Sequence, residues 1–189
     1  MPGSYDRSEV VGTRSLSRAS AATMVVLSLT AGSARADSIE NAGSVGAILL
    51  PVGAAVGALV VKDHQGLKQL ALAYGTSMAV VYVLKPLVDR TRPDGGSQSF
   101  PSGHSASAFA GAAFLQRRYG WKLGIPAYAI ASFVGYSRVE AKRHYTSDVI
   151  AGGAIGIGAN LIFTHRREQV SVGFDTSPHR AGPLVSVTW

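Results

Sequence analysis

Ser137-Arg138-Val139-Glu140-Ala141-Lys142-Arg143-His144-Tyr145-Thr146-Ser147-Asp148 runs without a break into the apolar segment Val149–Phe163. The apolar half is rich in Gly, Ala and Ile and has the length of a helix rather than a strand. The polar half carries an arginine, a histidine and, four residues further on, an aspartate. At that spacing His144 and Asp148 share one face of a helix or of its first turn. A carboxylate placed there can accept a hydrogen bond from one imidazole nitrogen and leave the other free as a nucleophile. The same pair also serves as a plain structural bond at a helix start.

Four more apolar segments precede this one: Val45–Val61, Gln69–Leu84, Ser105–Leu115 and Leu123–Tyr136. The expected fold is therefore all-α, a bundle of about five core helices, with Pro51 and Pro126 kinking or starting helices. Hydrophobic residues make up 47% of the chain and charged residues only 15%, below the soluble average of about 25%. Together with 22 glycines, this composition points to helices packed closely in a membrane. A mean hydropathy of only +0.19 keeps a small apolar soluble domain as the competing reading. Several segments are shorter than the roughly 20 residues of an ordinary span, the one after His104 most of all.

The joints carry a second signal. Lys62 and Lys68, then Arg117, Arg118 and Lys122, then Arg166 and Arg167 occupy alternate joints, as the positive-inside rule expects of a membrane bundle. The start of the chain resembles a secretory signal: Arg7, Arg14 and Arg18, a short apolar stretch over Ala19–Thr30, and Ala34-Arg35-Ala36 before Asp37. Residues 1–36 are thus expected to be a signal peptide or an uncleaved first transmembrane helix, residues 37–168 the helical domain, and residues 169–189 a tail. In the tail, Val170–Phe174 and Leu184–Trp189 alternate as a short β-hairpin does. With residue 37 outside, the remaining, non-alternate joints all fall on the outer face at one end of the bundle.

Those joints hold two further strings. Lys85 stands seven residues before Arg92-Pro93, with Pro86 and Pro93 expected to bound the turn; Lys85 offers a point charge and Arg92 a planar fork for two phosphate oxygens. Pro101-Ser102-Gly103-His104 reads as a turn feeding a helix, with Ser102 as cap and free backbone N–H groups suited to an anion. His104 could protonate a leaving oxygen. Taken singly, the first string also suits a basic membrane-edge cluster and the second an ordinary capped helix. Arg90, Lys142 and Arg143 lie nearby; they read first as solvated charges, with contact to an anionic headgroup as the alternative. His64, His165 and His179 fall outside the strings and read as solvent-facing.

The chain has no cysteine, which removes thiol nucleophiles, disulfides and thiolate metal sites. The net charge of +7 is spread without a basic block or interleaved aromatics, so nucleic acid is not an expected partner. No spacing of metal ligands stands out.

Taken together, Lys85-x6-Arg92-Pro93, Pro101-Ser102-Gly103-His104 and Ser137-Arg138-x5-His144-x3-Asp148 resemble the type 2 phosphatidic acid phosphatase family, related to bacterial class A acid phosphatases and vanadium haloperoxidases. The resemblance spans roughly Gly66 to Asn160. It implies that Lys85, Arg92 and Arg138 bind phosphate, with hydrogen bonds from Ser102 and Gly103. It further implies that His144 forms a phosphohistidine with help from Asp148, that His104 is the general acid and then activates water, and that no metal or other cofactor takes part.

The expected function is hydrolysis of a lipid phosphate or diphosphate at the periplasmic side of the inner membrane. Candidate substrates are phosphatidic acid, phosphatidylglycerol phosphate, undecaprenyl diphosphate and lipid A. The alternatives are a soluble periplasmic acid phosphatase of broad specificity, a vanadate-dependent haloperoxidase and a non-catalytic lipid-binding membrane protein.

Overall fold

A computed structural model of the chain describes residues 37–167 and the backbone of two paired strands. The signal-like residues 1–36 and His179 lie outside the described residues. Five helices follow in order: α1 (Asp37–Val60), α2 (His64–Val88), α3 (Gly103–Tyr119), α4 (Trp121–Glu140) and α5 (Thr146–Phe163). The all-α bundle is as expected, and each helix begins ahead of its apolar segment. At the start of α2, the Asp63 carboxylate accepts the Gly66 N–H at 2.9 Å. At its end Pro86 lies inside the helix, not in the following turn, and the chain leaves through Asp89 in a left-handed conformation with φ 37°. In the last turn a proline costs one ladder bond and can be absorbed by a bend. Pro51 and Pro126 are likewise inside α1 and α4.

Helix α3 occupies the centre and packs against the other four helices. Ala106, Ala108, Ala110, Ala112 and Ala113 are all fully buried along it. This explains why its sequence is the weakest membrane span: it meets neighbouring helices, where small residues allow close approach, and has little need of large aliphatics. Helix α5 comes closest. A Cβ at Gly156 would stand 2.5 Å from the Ala106 carbonyl oxygen, so only glycine permits this crossing.

The large aliphatic side chains point the other way. Ile48 in α1, Leu87 in α2 and Ile162 in α5 are 64%, 73% and 68% exposed, while the interior is mostly alanine, glycine and serine. A small-residue core inside an aliphatic exterior is the pattern of a bundle whose surroundings are lipid. Three helices, α1, α2 and α5, are long and apolar enough to cross a membrane, with mean hydropathies of 2.0, 1.4 and 1.3.

One joint cation is not at the surface. Arg118, at the α3 end away from the motif joints, is buried and grips both oxygens of Asp63 at 2.7 Å. The Tyr119 hydroxyl adds a third bond to Asp63 at 3.0 Å, and Arg118 Nη1 donates to the His165 carbonyl at 3.0 Å. A buried guanidinium requires this saturation, because an unpaired charge there is strongly destabilising. The clasp ties the α1–α2 joint to the ends of α3 and α5. His64 and His165 are exposed at this end, as expected.

Beyond the helices, β1 (Gln169–Ser177) pairs antiparallel with β2 (Arg180–Thr188), Val170 opposite Val187 and Val172 opposite Val185.

Candidate active site

The three motif strings sit in two loops at one end of the bundle and in the helix ends that flank them. Lys85 comes from the last turn of α2, Arg92 from the α2–α3 loop, Gly103 and His104 from the first turn of α3, Arg138 from the end of α4 and His144 from the α4–α5 loop. All six line one open cavity of about 390 Å³, together with Glu40 and Arg143. Of the predicted site residues, Ser102 and Asp148 do not line it.

The loop that carries Arg92 is held by the cations themselves. Lys85 Nζ donates to the Gln98 carbonyl at 2.8 Å, and Arg92 Nε to the Ser97 carbonyl at 3.0 Å. A tight turn with Gly95 at φ 87° closes between them through Arg92 N–H to Gly96 O at 2.7 Å. Both side chains keep donors available to an anion.

Ser102 caps α3, as its place before Gly103 suggests. Its Oγ accepts the Ser105 N–H at 3.4 Å and the Ser105 hydroxyl at 3.0 Å, and its own N–H bonds the Asp148 carbonyl at 3.0 Å. The hydroxyl is fully buried against the helix. The structure therefore assigns Ser102 to building the helix end, while Gly103 and the α3 terminus face the cavity. His104 is exposed to that cavity and, among the described residues, makes no hydrogen bond to the protein.

The nucleophile candidate is organised differently from expectation. Asp148 does not bond to His144; the closest approach, Oδ2 to Nδ1, is 3.9 Å. The Ser99 carbonyl takes that position, 2.7 Å from Nδ1. A carbonyl only accepts, so Nδ1 carries the proton and the neutral ring has its free lone pair on Nε2. His144 is 4% exposed. Burial, helped by the Arg92 and Lys85 charges, pushes its pKa down to about 4, against the opposing pull of the Ser99 bond and Asp148. The imidazole is therefore neutral, as attack on phosphorus requires.

Asp148 is itself fully buried and saturated. It accepts from the Ser99 hydroxyl at 2.5 Å, from Arg90 Nη1 at 2.9 Å and from the Tyr145 N–H at 3.0 Å. It positions His144 through Ser99. Arg90, read from sequence as a solvated charge, stacks 4.0 Å over the Tyr145 ring and also bonds Ser147 Oγ at 2.8 Å. Arg143, read the same way, joins Glu40 at 2.9 Å and Asp94 at 3.1 Å. The Gly96 N–H and Arg143 hold the Asp94 carboxyl below its ordinary range.

Arg138 is 2% exposed. Its Nε bonds Ser137 Oγ at 3.1 Å and its Nη1 bonds Ser44 Oγ at 3.2 Å, while Nη2 donates to the Glu40 carbonyl. Glu40 and Ser99 are the residues that the sequence did not single out. No spacing signal marks Glu40, which acts on Arg138 from another helix. Ser99 lies just ahead of the Pro-Ser-Gly-His string and contributes a carbonyl that any residue could supply. Among the described residues, no three His, Asp or Glu side chains converge as a metal-binding group.

Four cations, a helix N-terminus and a neutral buried imidazole, gathered at one end of an aliphatic-coated bundle, define a membrane helical protein with a site for a phosphate-like anion. Comparison with known proteins narrows the class. The chain belongs to the PAP2 superfamily, whose sequence pattern matches residues 66–170. It is 33% identical to the lipid A 4'-phosphatase of Helicobacter pylori over 129 residues, covering 62% of this chain and 65% of that one. It is 36% identical to phosphatidylglycerophosphatase B of Bacillus subtilis over 112 residues, 51% of this chain and 55% of that one. The chain thus spans just under two thirds, or less, of the length of these relatives. The crystal structure of a transmembrane PAP2-type phosphatidylglycerolphosphate phosphatase from Bacillus subtilis superposes with a TM-score of 0.56 at 27% identity, over 68% of this chain and 74% of that one. The crystal structure of Aquifex aeolicus LpxE shares the fold, with a TM-score of 0.61 at 24% identity, over 67% of this chain and 83% of that one.

Proposed function

We propose that the protein is a metal-independent phosphohydrolase acting on a lipid phosphate, with its site at the periplasmic face of the membrane. His144 Nε2 attacks phosphorus and forms an N–P bond as the bond to the leaving oxygen breaks. His104 gives that oxygen its proton. Water then attacks the phosphohistidine, His104 takes the proton from it, and phosphate leaves with the imidazole restored. Lys85, Arg92, Arg138 and the α3 N-terminus are set to stabilise the charge on the equatorial oxygens as it develops. The observation that carries the reading is the tautomer at His144: buried, neutral, and fixed by the Ser99 carbonyl with its reactive nitrogen free.

A lipid substrate is favoured by what adjoins the cavity. Helices α1 and α2 enclose an apolar trough of about 330 Å³ lined by Pro51, Val52, Leu67 and Leu70, and it shares Ile48 and Tyr74 with the catalytic cavity. A phosphate among the cations would leave an attached chain beside this trough. The named activities of the relatives, on lipid A and on phosphatidylglycerophosphate, fit the same arrangement. The test is phosphate release by purified protein from lipid A, phosphatidylglycerol phosphate, phosphatidic acid, undecaprenyl diphosphate and a soluble aryl phosphate, with and without EDTA. Turnover of the lipid monoesters that survives EDTA supports the reading. Faster turnover of the soluble ester than of every lipid overturns the lipid assignment, and loss in EDTA overturns the metal independence.

A further inference from the structure

One carboxylate stands among the cations of the cavity. Glu40, in the first turn of α1, is the only acidic side chain lining the site among the described residues. Its Oε1 lies 2.9 Å from Arg143 Nε and 4.0 Å from Arg138 Nη1. Its backbone carbonyl takes Arg138 Nη2, and Ser44, one turn further along α1, takes Nη1. Three oxygens of α1 thus surround the guanidinium that the motif reserves for phosphate. They occupy Nη1 and Nη2, donors that a bound anion would otherwise take.

Arg143 is doubly occupied. It is the most exposed cation of the cavity, and it sits between the Glu40 and Asp94 carboxylates. Two acids around one guanidinium neutralise the Arg143 charge at the mouth of the site. A monoester places its single phosphoryl group deep, against Lys85, Arg92 and His144. A diphosphate must place a second phosphoryl group further out, where the available cation is already neutralised.

We propose that Glu40 is an internal counter-anion that competes with the substrate's phosphate for Arg138 and Arg143, and that with Asp94 it selects phosphate monoesters over diphosphates. This rests on the proposed hydrolase reading and narrows its substrate class. Removing one like charge at this range weakens anion exclusion by about tenfold. The opposite expectation holds if Glu40 only braces the arginines: its loss would then loosen them and weaken anion binding.

The experiment uses the full chain in detergent. The inhibition constant of orthovanadate and the ratio of kcat/KM for undecaprenyl diphosphate to that for a lipid monophosphate are compared for wild type, Glu40→Gln and Asp94→Asn. Glu40→Gln is expected to tighten vanadate about tenfold and to shift the ratio toward the diphosphate. Asp94→Asn, on an exposed loop, is expected to shift the ratio in the same direction, and it keeps the question open to test if Glu40→Gln does not fold. Unchanged or weaker vanadate binding in a folded Glu40→Gln protein overturns the proposal, as does an unchanged ratio in Asp94→Asn. In those cases a wild type that turns over lipid phosphate leaves the hydrolase reading standing. A wild type that neither binds vanadate nor releases phosphate overturns both.

Discussion

The Nδ1 of His144 lies 2.7 Å from the carbonyl oxygen of Ser99, and the hydroxyl of the same serine lies 2.5 Å from Asp148 Oδ2. One residue therefore orients the imidazole with its backbone and the carboxylate with its side chain. The Asp148 charge reaches His144 across 3.9 Å, close enough to stabilise an imidazolium but without sharing its proton.

His144→Ala is expected to lower turnover by about four orders of magnitude or more, since His104, the other imidazole of the cavity, already serves as the proposed general acid. Acid-quench trapping with labelled substrate should place phosphate on His144 in the wild type and nowhere in the variant. Label on another residue would move the nucleophile.

Ser99→Ala and Asp148→Asn should separate the two halves of this arrangement. Ser99→Ala keeps the carbonyl that fixes the tautomer, so it should cost about 1–2 kcal/mol of stability and less than about tenfold in kcat. Asp148→Asn removes the charge that supports the phosphorylated ring and leaves Arg90 unpaired, and kcat should fall about 100-fold. Equal losses in the two variants would show that Asp148 acts only as a strut.

The pH dependence follows from the burial of His144. Its folded pKa of about 4 lies below the unfolded value of about 6.5. Between those values the unfolded chain binds a proton that the folded chain excludes, so stability falls as the pH drops through this window and levels off below it. Melting temperature against pH should show this slope in the wild type and a shallower one in His144→Phe, where His104 still contributes. In the same samples kcat/KM should rise as falling pH protonates His104, the proposed general acid, and then fall as pH drops through about 4.

Asp63→Asn tests the clasp at the opposite end. Breaking one partner of a buried ion pair costs about 3–5 kcal/mol, so the melting temperature should drop while KM and the vanadate inhibition constant stay near wild type. The Arg118 guanidinium holds the Asp63 carboxyl far below the usual carboxylate range. Its contribution to stability is thus present above the unfolded carboxylate value of about 3.9 and fades as acid protonates it. A changed KM would show that the two ends are coupled.

Orientation in the membrane is testable by single cysteines, because the chain has none. Ser97→Cys, in the loop beside Arg92, should react with an impermeant reagent in intact spheroplasts. Lys122→Cys, at the start of α4, should react only after lysis. Gly120 is the poorer choice there, since its φ of 94° favours glycine. Labelling of both without lysis would support a soluble periplasmic protein.

The bundle and the convergence of the motif strings were legible because each rests on local chemistry: apolar runs long enough for helices, caps, and cations beside prolines. What escaped the sequence depends on pairs far apart in the chain. Asp148 looked like the partner of His144 because the two are four residues apart, yet the α2–α3 loop places Ser99 between them. Arg118 read only as a joint cation because nothing in its neighbourhood names Asp63, which comes from the α1–α2 joint. The weak apolar character of α3 suggested an insecure span and turned out to mark the helix at the centre, a distinction that needs the packing. The signal-like start, residues 1–36, lies outside the described residues.

The trough that Ile48 and Tyr74 share with the catalytic cavity has a kinetic consequence under the proposed function. A substrate lying there would stay in the bilayer throughout, arriving and departing sideways, while the liberated phosphate leaves through the cationic mouth into water. Its rate would then follow the mole fraction of substrate in the membrane plane, not its amount per volume of solution. Diluting mixed micelles with buffer would leave velocity per enzyme unchanged; diluting them with inert lipid would lower it.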